Sequence, residues 1–452
     1  MGPRQGPMSR TFASLSFLNY RLWFVGALVS NIGTWMQRIA QDWLVLAELT
    51  DNSGSAVGLV TALQFLPFLL LAPYAGVVAD RVNQRTMLLV TQAGSAALGL
   101  GLGALVLLGH AQLWHVYLFA FGLGVANAFD GPVRQIFVTS LVPAENLPNA
   151  VGLNATSFNA ARLIGPATAG LLIAGVGSGW VFIINGATFI ATIGALLAMK
   201  KDSLHLPERA QRARGQVKAG LTYVRRRKDI VLIMAIMGVV SALGLNFQLT
   251  SALMSRVEFG RGATDYGVLG SVLAIGSLAG ALGVARRRRP RLRVIVGSAG
   301  AFGVSLSALA VMPSFKAFAA VCVLVGFTSL TLLATANAWI QTTTAPSMRG
   351  RVMALHMMVL MGATPVGAPL VGWIGEHWGA RWSIGVGAIA SLVVTLVAAM
   401  WAMRYWRIEL SIAMHRPFVR ASWGRTSADA EAELRERARL EVEEQEIEDA
   451  QR

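Results

Sequence analysis

Twelve stretches of about twenty mostly apolar residues follow one another along the chain, near positions 22–47, 55–78, 87–108, 114–137, 150–174, 179–199, 229–254, 265–285, 293–312, 316–339, 351–375 and 381–405. Each is long enough, at about 1.5 Å per residue, for a helix to cross the ~30 Å hydrocarbon core of a bilayer. A soluble fold of 452 residues would need a polar surface. Asp, Glu, Lys and Arg make up only 14% of this chain, against 54% apolar residues and 47 glycines, whereas soluble chains carry about 25% charged residues. A mean hydropathy of +0.55 agrees. These numbers exclude a water-soluble enzyme and a disordered chain. The single cysteine, Cys322 in an apolar run, excludes a disulfide scaffold. The expected fold class is an all-α membrane protein of twelve transmembrane helices.

The net charge of +16 would suggest nucleic acid in a soluble protein, but here the basic residues fall between the apolar runs. With the N-terminus inside, about 32 of the 39 Lys and Arg lie in cytoplasmic segments and about four outside (Arg256, Arg261, Lys316, Arg381), leaving Arg38, Arg134 and Arg162 within spans. That is the positive-inside pattern. It predicts a multi-pass protein of the bacterial cytoplasmic (inner) membrane with both termini cytoplasmic and basic loops touching anionic lipids. Residues 1–21 read as a polar cytoplasmic segment without a cleavable signal pattern.

Two longer polar stretches divide the chain. Residues 200–228 form a basic cytoplasmic linker between an N-terminal six-helix bundle (22–199) and a C-terminal one (229–405). Its part from Gln216 to Lys228 predicts a helix along the membrane surface, with Val217, Leu221 and Val224 on one face. The tail, 406–452, carries ten of the 23 acidic residues after Ala428 and reads as a solvated helix or a disordered end, solubilising or regulatory. The halves look like copies. Val78-Ala79-Asp80-Arg81 with Arg85 is matched about 206 positions later by Val284-Ala285-Arg286-Arg287 with Arg291, and Gly165, Gly170 and Trp180 are matched about 202 later by Gly367, Gly372 and Trp382. Such a six-plus-six repeat is the layout of transporters whose two bundles rock about a midplane site.

The segment from Gly76 to Leu88, GVVADRVNQRTML, resembles the loop between the second and third spans of the major facilitator superfamily, with Asn83 where the family often has glycine. Asn is a side chain that tolerates the left-handed backbone of a tight turn. The stretches Asn19–Gln37, Leu141–Gly170 and Ala336–Leu355 resemble the bacterial exporter branch that includes enterobactin exporters and macrolide efflux proteins. The resemblance spans about residues 12–405. It implies two bundles related by a pseudo-twofold axis, a cavity lined by the first, fourth, seventh and tenth spans, and a cytoplasmic latch. In that latch Asp80 would face Gly350 and Arg351, and Arg81 would pair with an acid of the fourth span, for which Asp130 is available. The second copy has Arg286 in place of the aspartate, so the latch should be one-sided. The fourth span has Phe119, Gly122 and Gly124 where many members carry an arginine.

Charges within spans are costly unless paired or wetted. Arg38 and Asp42, four residues apart on one helix, share a face. Asp42 is either a proton-coupling site that changes partner or one end of a permanent ion pair, and the acid that carries the proton is expected to be Asp42 or Asp130. Asp130-Gly131-Pro132 with Arg134 is either a kink capped by Asp130 or part of the inner gate. Arg162 either pairs with Asp130 or Asp42, or meets an anionic group of the substrate. Gly165, Pro166 and Gly170 should bend the fifth span, and they resemble an incomplete antiporter signature. Cavity positions expected in the first half are Arg162, Asn154, Asn159 and Gln64; in the second, Asn246, Phe247, Asn337 and Met361 give a more apolar wall suited to amphiphilic molecules.

The chain has no HExxH, no Gly-Lys-Ser/Thr phosphate loop and no GxSxG elbow. No cofactor or metal is expected, and with no ATP-binding domain the energy source must be an ion gradient. The sequence therefore predicts a monomeric secondary transporter that exports a drug-like hydrophobic or amphiphilic molecule by proton antiport. A dedicated siderophore or metabolite exporter is one alternative, and a non-transporting membrane scaffold or sensor is another.

Overall fold

Polar side chains at the ends of the apolar runs decide where the helices begin. Ser53 accepts the Ala56 N–H at 3.2 Å, Asn83 that of Thr86 at 3.2 Å, and Ser314 that of Ala317 at 3.4 Å, each satisfying a donor of a first helical turn. Asn83 thus corrects the expectation of a left-handed turn: its φ is −61° and it works as an N-cap. The computed structural model describes residues 11–200, 216–287, 290–406, 408–412 and 419–423.

The first half holds α1 (Leu18–Trp43, continued by a π turn at Leu44–Leu49), α2 (Gly54–Arg81), α3 (Gln84–Leu107), α4 (Leu113–Thr139), α5 (Leu147–Val176) and α6 (Ser178–Ala198). After the linker helix α7 (Gln216–Arg226) comes the second half. Its seventh span is broken into α8 (Lys228–Val239) and α9 (Phe247–Leu253), with π turns at Val240–Gly244 and Met254–Glu258. Then follow α10 (Ala263–Ala285), α11 (Leu292–Ala310), α12 (Phe315–Thr343), the two-piece eleventh span α13 (Pro346–Gly362) and α14 (Thr364–Trp378), and α15 (Ala380–Trp406). Eleven stretches are long and apolar enough to cross a membrane. Helix α1 is the twelfth of the array, its apolar run interrupted by Gln37, Arg38, Gln41 and Asp42.

The repeat has a physical counterpart in the packing. Gly177 and Gly379, at φ +86° and +101°, make the single-residue corners after the fifth and eleventh spans, where a side chain would strain the backbone. A Cβ on Gly165 would strike Trp35 and the Ile32 carbonyl of the first span, and one on Gly367 the Ala242 carbonyl of the seventh. Gly170 lies on the start of the eighth span at Ala263, and Gly372 on the start of the second at Gly54. Each half thus presents the same glycines to equivalent neighbours, the signature of pseudo-twofold bundles.

Helix α7 forms within the bounds expected of a surface helix, but it docks on protein. Gly220 and Val224 are buried, Gly220 against Arg351 and Leu355 of α13, and Leu221 is exposed; the Val217 side chain lies outside the described residues. Arg227 anchors its end. Both Asp229 oxygens accept from Arg227, at 3.0 and 2.8 Å, and Arg227 also donates to the Thr343 carbonyl at 2.9 Å; Asp229 accepts from the Trp339 indole at 2.9 Å. Burial opposes charge on Arg227, yet the Asp229 carboxylate holds it protonated above the usual arginine range. Asp229→Ala should leave a buried guanidinium unpaired and destabilise the fold by about 3 kcal/mol, read as earlier unfolding in detergent; unchanged unfolding would contradict the anchoring role. Beyond α15, strands β1 (Ile408–Ile412) and β2 (Val419–Trp423) pair antiparallel, a hairpin the sequence reading did not expect. The acidic stretch at 424–452 lies outside the described residues.

Candidate functional site: the seam between the halves

The two halves are sealed at one end by backbone contact. Helices α2 and α14 cross where Gly54 faces Gly372, so that a Cβ on either would run into the other's carbonyl oxygen. Helices α5 and α10 cross in the same way, with Gly267 against the Pro166 carbonyl. Side chains stitch the crossing. Glu376 accepts from the Ser53 hydroxyl at 2.9 Å and the Ser55 N–H at 2.8 Å. Arg256 donates to Asn52 at 3.3 Å, and Ser271 donates to the Leu163 carbonyl at 2.6 Å. Asp42, only 6% exposed, accepts from the Tyr266 hydroxyl of the other half at 2.9 Å, and the Trp43 ring stacks on Tyr266 at 6.4 Å.

Toward the opposite end the glycine contacts change partners. Contact of α2 with the second half is still present at Leu69, against Gly362, while Gly276 and Gly280 of α10 turn to the Val323 and Phe327 carbonyls of their own half. On α5, below Leu163, Phe158 and Val151 are exposed. The sealed end carries residues 50–53 and 259–262, and the opposite end carries the turn at 82–83 and α7.

The charges within the spans take partners the spacing did not foretell. Arg38 and Asp42 share a helix face but form no ion pair among the described residues, because Asp42 is engaged by Tyr266 across the seam. The Arg38 guanidinium lies instead 5.0 Å from the Trp35 ring centroid and 5.7 Å from that of Phe65, with its Nε buried and unpartnered. Arg162 meets neither Asp42 nor Asp130 in an ion pair; it lies 5.9 Å from the Trp35 ring. The expected capped kink is also corrected. Helix α4 runs unbroken through Pro132, and Asp130 accepts from Thr91 at 2.9 Å and Gln92 at 2.8 Å and pairs with Arg134 at 2.8 Å. The Arg134 guanidinium rests 5.2 Å from the Trp23 ring, so this network stays within the first half.

Of the expected latch, the side chains of Gly76, Asp80 and Arg81 lie outside the described residues. Arg85 donates to the Leu197 carbonyl at 3.1 Å, Gly350 is exposed, and Arg351 packs on Gly220 of α7. Gly165, Pro166 and Gly170 sit in one continuous helix and form its contact surface with α1 and α10.

The expected cavity residues do not converge on one point. Asn154 is half-buried on α5, Asn159 donates to the Ala155 carbonyl of its own helix at 2.8 Å, and the half-buried Gln64 lies where α2 meets α4. Asn246 and Phe247 mark the break in the seventh span, Asn246 donating to Ala242 at 2.7 Å and Phe247 meeting Phe302 edge-on at 6.0 Å. Met361 packs on the core of the second half, and Asn337 keeps a buried, unpartnered Oδ1. The sequence reading missed Tyr266, Trp35 and Phe158. Trp35 alone had a signal, lying one helical turn before Arg38.

The model of a family described as a transmembrane secretion effector matches residues 9–427. The multidrug efflux pump Tap of Mycolicibacterium fortuitum is 25% identical over 385 residues, covering 82% of this chain and 93% of its own. The staphyloferrin A transporter of Staphylococcus aureus is 23% identical over 399 residues, 86% and 95% of the two chains, and macrolide efflux protein A of Streptococcus pyogenes is 23% identical over 378, 79% and 91%. Among solved structures, the POT family transporter PepTSo matches with a TM-score of 0.67 at 10% identity, over 86% of this chain and 98% of its own. An inward-facing, unoccupied bacterial homologue of the lysosomal transporter Spinster matches at 0.60 and 16% identity, over 88% and 97%. The structural likenesses show the fold. With the family match running over nearly the whole chain, the protein belongs to the transmembrane secretion effector family of major facilitator transporters, and is a multi-pass membrane carrier rather than an enzyme.

Proposed function

We propose that this transporter exports a small hydrophobic or amphiphilic molecule in exchange for protons, by alternating access between the halves at 22–199 and 229–405. In this reading the sealed end faces outward. The opposite end, with the basic turns, the 200–228 linker and the segments at 1–21 and 406–452, faces the cytoplasm, where anionic lipids meet the basic residues. The protein acts as a monomer, since each half supplies one wall of the passage. Relatives named as a multidrug efflux pump and a macrolide efflux protein support the drug-like substrate class.

The observation that carries the reading is the bond from Tyr266 to Asp42 across the seam, one helical turn from an Arg38 that forms no ion pair among the described residues. A carboxylate inside such a seam is exposed to one solution when the seal opens and to the other path when it closes. When the seal is open, Asp42 meets the outer solution and takes up a proton. When the seal is closed, Asp42 faces Tyr266 and, nearer the opposite end, Arg38; its proton leaves on that side.

The test is transport in reconstituted vesicles under an imposed pH gradient, screening amphiphilic dyes, macrolides and siderophores. At least one compound should move at least about tenfold faster than in empty vesicles. Equal rates for every compound, with and without the gradient, would remove the reading.

A further inference from the structure

Two arginines of the first half stand over the same indole ring, and neither is ion-paired among the described residues. The guanidinium carbons of Arg38 on α1 and Arg162 on α5 lie 5.0 and 5.9 Å from the Trp35 ring centroid. Neither forms an ion pair among the described residues, and the Arg38 Nε is buried without an acceptor. Asp42, the carboxylate nearest in sequence, is already held by Tyr266.

Both arginines lie on the side of the seam away from residues 50–53 and 259–262. Arg162 lies near the middle of the 30-residue α5, one turn from Pro166 on the side away from the seal, and Arg38 lies one turn from Asp42 on the same side. The walls around them are flat and apolar. Phe65 comes from α2, 5.7 Å from Arg38, and Phe158 meets Trp35 edge-on at 6.0 Å with 48% of its surface exposed.

A cation near the middle of a bilayer costs more than a cation–π contact returns, and two cations at one ring also repel each other. Permanent neutralisation by a protein acid is the usual remedy; Asp42, one turn along α1, acts on Arg38 only at a distance, and no described acid forms an ion pair with either arginine. A carboxylate arriving with a ligand would supply the missing acceptor, since a guanidinium binds it through two parallel hydrogen bonds, and the aromatic walls would cover a flat body behind it.

We propose that Arg38 and Arg162 form an anion-binding floor of the cavity, and that the transported molecule carries a carboxylate on an aromatic or otherwise flat apolar body. This rests on the exporter reading above and names the substrate class of its site. Arg38 takes the carboxylate through Nε and a terminal nitrogen, Arg162 adds a second charge, and Trp35, Phe65 and Phe158 face the body of the molecule.

The test uses 2-naphthoate and 2-naphthamide, which share a ring system and differ in charge, in equilibrium dialysis against the full-length protein in phosphatidylcholine nanodiscs. Naphthoate should bind at least about tenfold more tightly than naphthamide. The Arg38→Gln/Arg162→Gln double variant should lose that preference while binding naphthamide as before, and the double lysine variant should keep most of it. Equal affinity for the two compounds in the unaltered protein would overturn the proposal, as would a glutamine double variant that still prefers naphthoate. Displacement of naphthoate by phosphatidylglycerol placed in the nanodisc would assign the arginines to a lipid headgroup and also overturn it. If neutral amphiphiles still follow the pH gradient in vesicles while naphthoate gains nothing from its charge, the exporter reading stands and this assignment alone fails.

Discussion

Gly372→Leu is expected to reduce gradient-driven transport by at least about tenfold while the protein still folds. The position has no room at the sealed end, because its missing Cβ would meet the Gly54 carbonyl of the other half. Backbone cannot move aside as a flexible side chain can. Overpacking of this kind costs about 1–3 kcal/mol, and the cost falls on the sealed state alone, since the two helices separate when the seal opens. A bias of about 1.4 kcal/mol already shifts a two-state population tenfold. Gly372→Leu should therefore favour the state open at this end, with faster modification of a cysteine placed at Ser55. Gly372→Ala should do the same to a lesser degree. Transport at the unaltered level in Gly372→Leu would mean that this crossing never has to close.

The second large effect concerns Asp42. Asparagine has nearly the same volume and can still accept the Tyr266 hydroxyl, so Asp42→Asn should preserve the seal. It removes the buried carboxyl that, in the proposed cycle, carries the proton across the seam. Gradient-driven accumulation should fall by about a hundredfold, equivalent to about 2.7 kcal/mol, while movement of substrate down its own gradient continues within about a factor of two. The contrast separates coupling from folding, because a misfolded carrier would lose both. Undiminished gradient-driven accumulation in Asp42→Asn would place the proton elsewhere, with Asp130 the next acid to examine.

The fold was largely legible because its main constraint is local. A bilayer asks each helix for about twenty apolar residues, and that demand is written in consecutive positions. The repeat was legible through Gly165, Gly170, Gly367 and Gly372, since close helix contact can be met by few side chains. Partnerships between distant residues were not legible. Arg38 and Asp42 are four apart and read as a pair, but the group that decides the outcome, Tyr266, is 224 positions from Asp42. Asp130 reads either as a cap at a kink, because Pro132 follows it, or as part of the inner gate, and neither reading points to Thr91 and Gln92 on the neighbouring α3, which supply its donors. Asn83 stands at a glycine position of the family pattern and was read as a left-handed turn residue. Its side chain instead caps α3, a role that the Thr86 N–H three residues later makes available. The pattern of α7 showed an amphipathic helix but not that its buried face meets α13.

In the proposed cycle one seam opens as the other closes. It is tested most directly by pairs of spin labels, one pair at Asp51 and Val257 across the sealed end and one at Val82 and Arg287 across the opposite end, with distances measured in vesicles with and without a proton gradient and substrate. The first distance should lengthen as the second shortens, and Asp42→Asn should uncouple this exchange from the gradient. Distances that change together, or that ignore both proton and substrate, would contradict it.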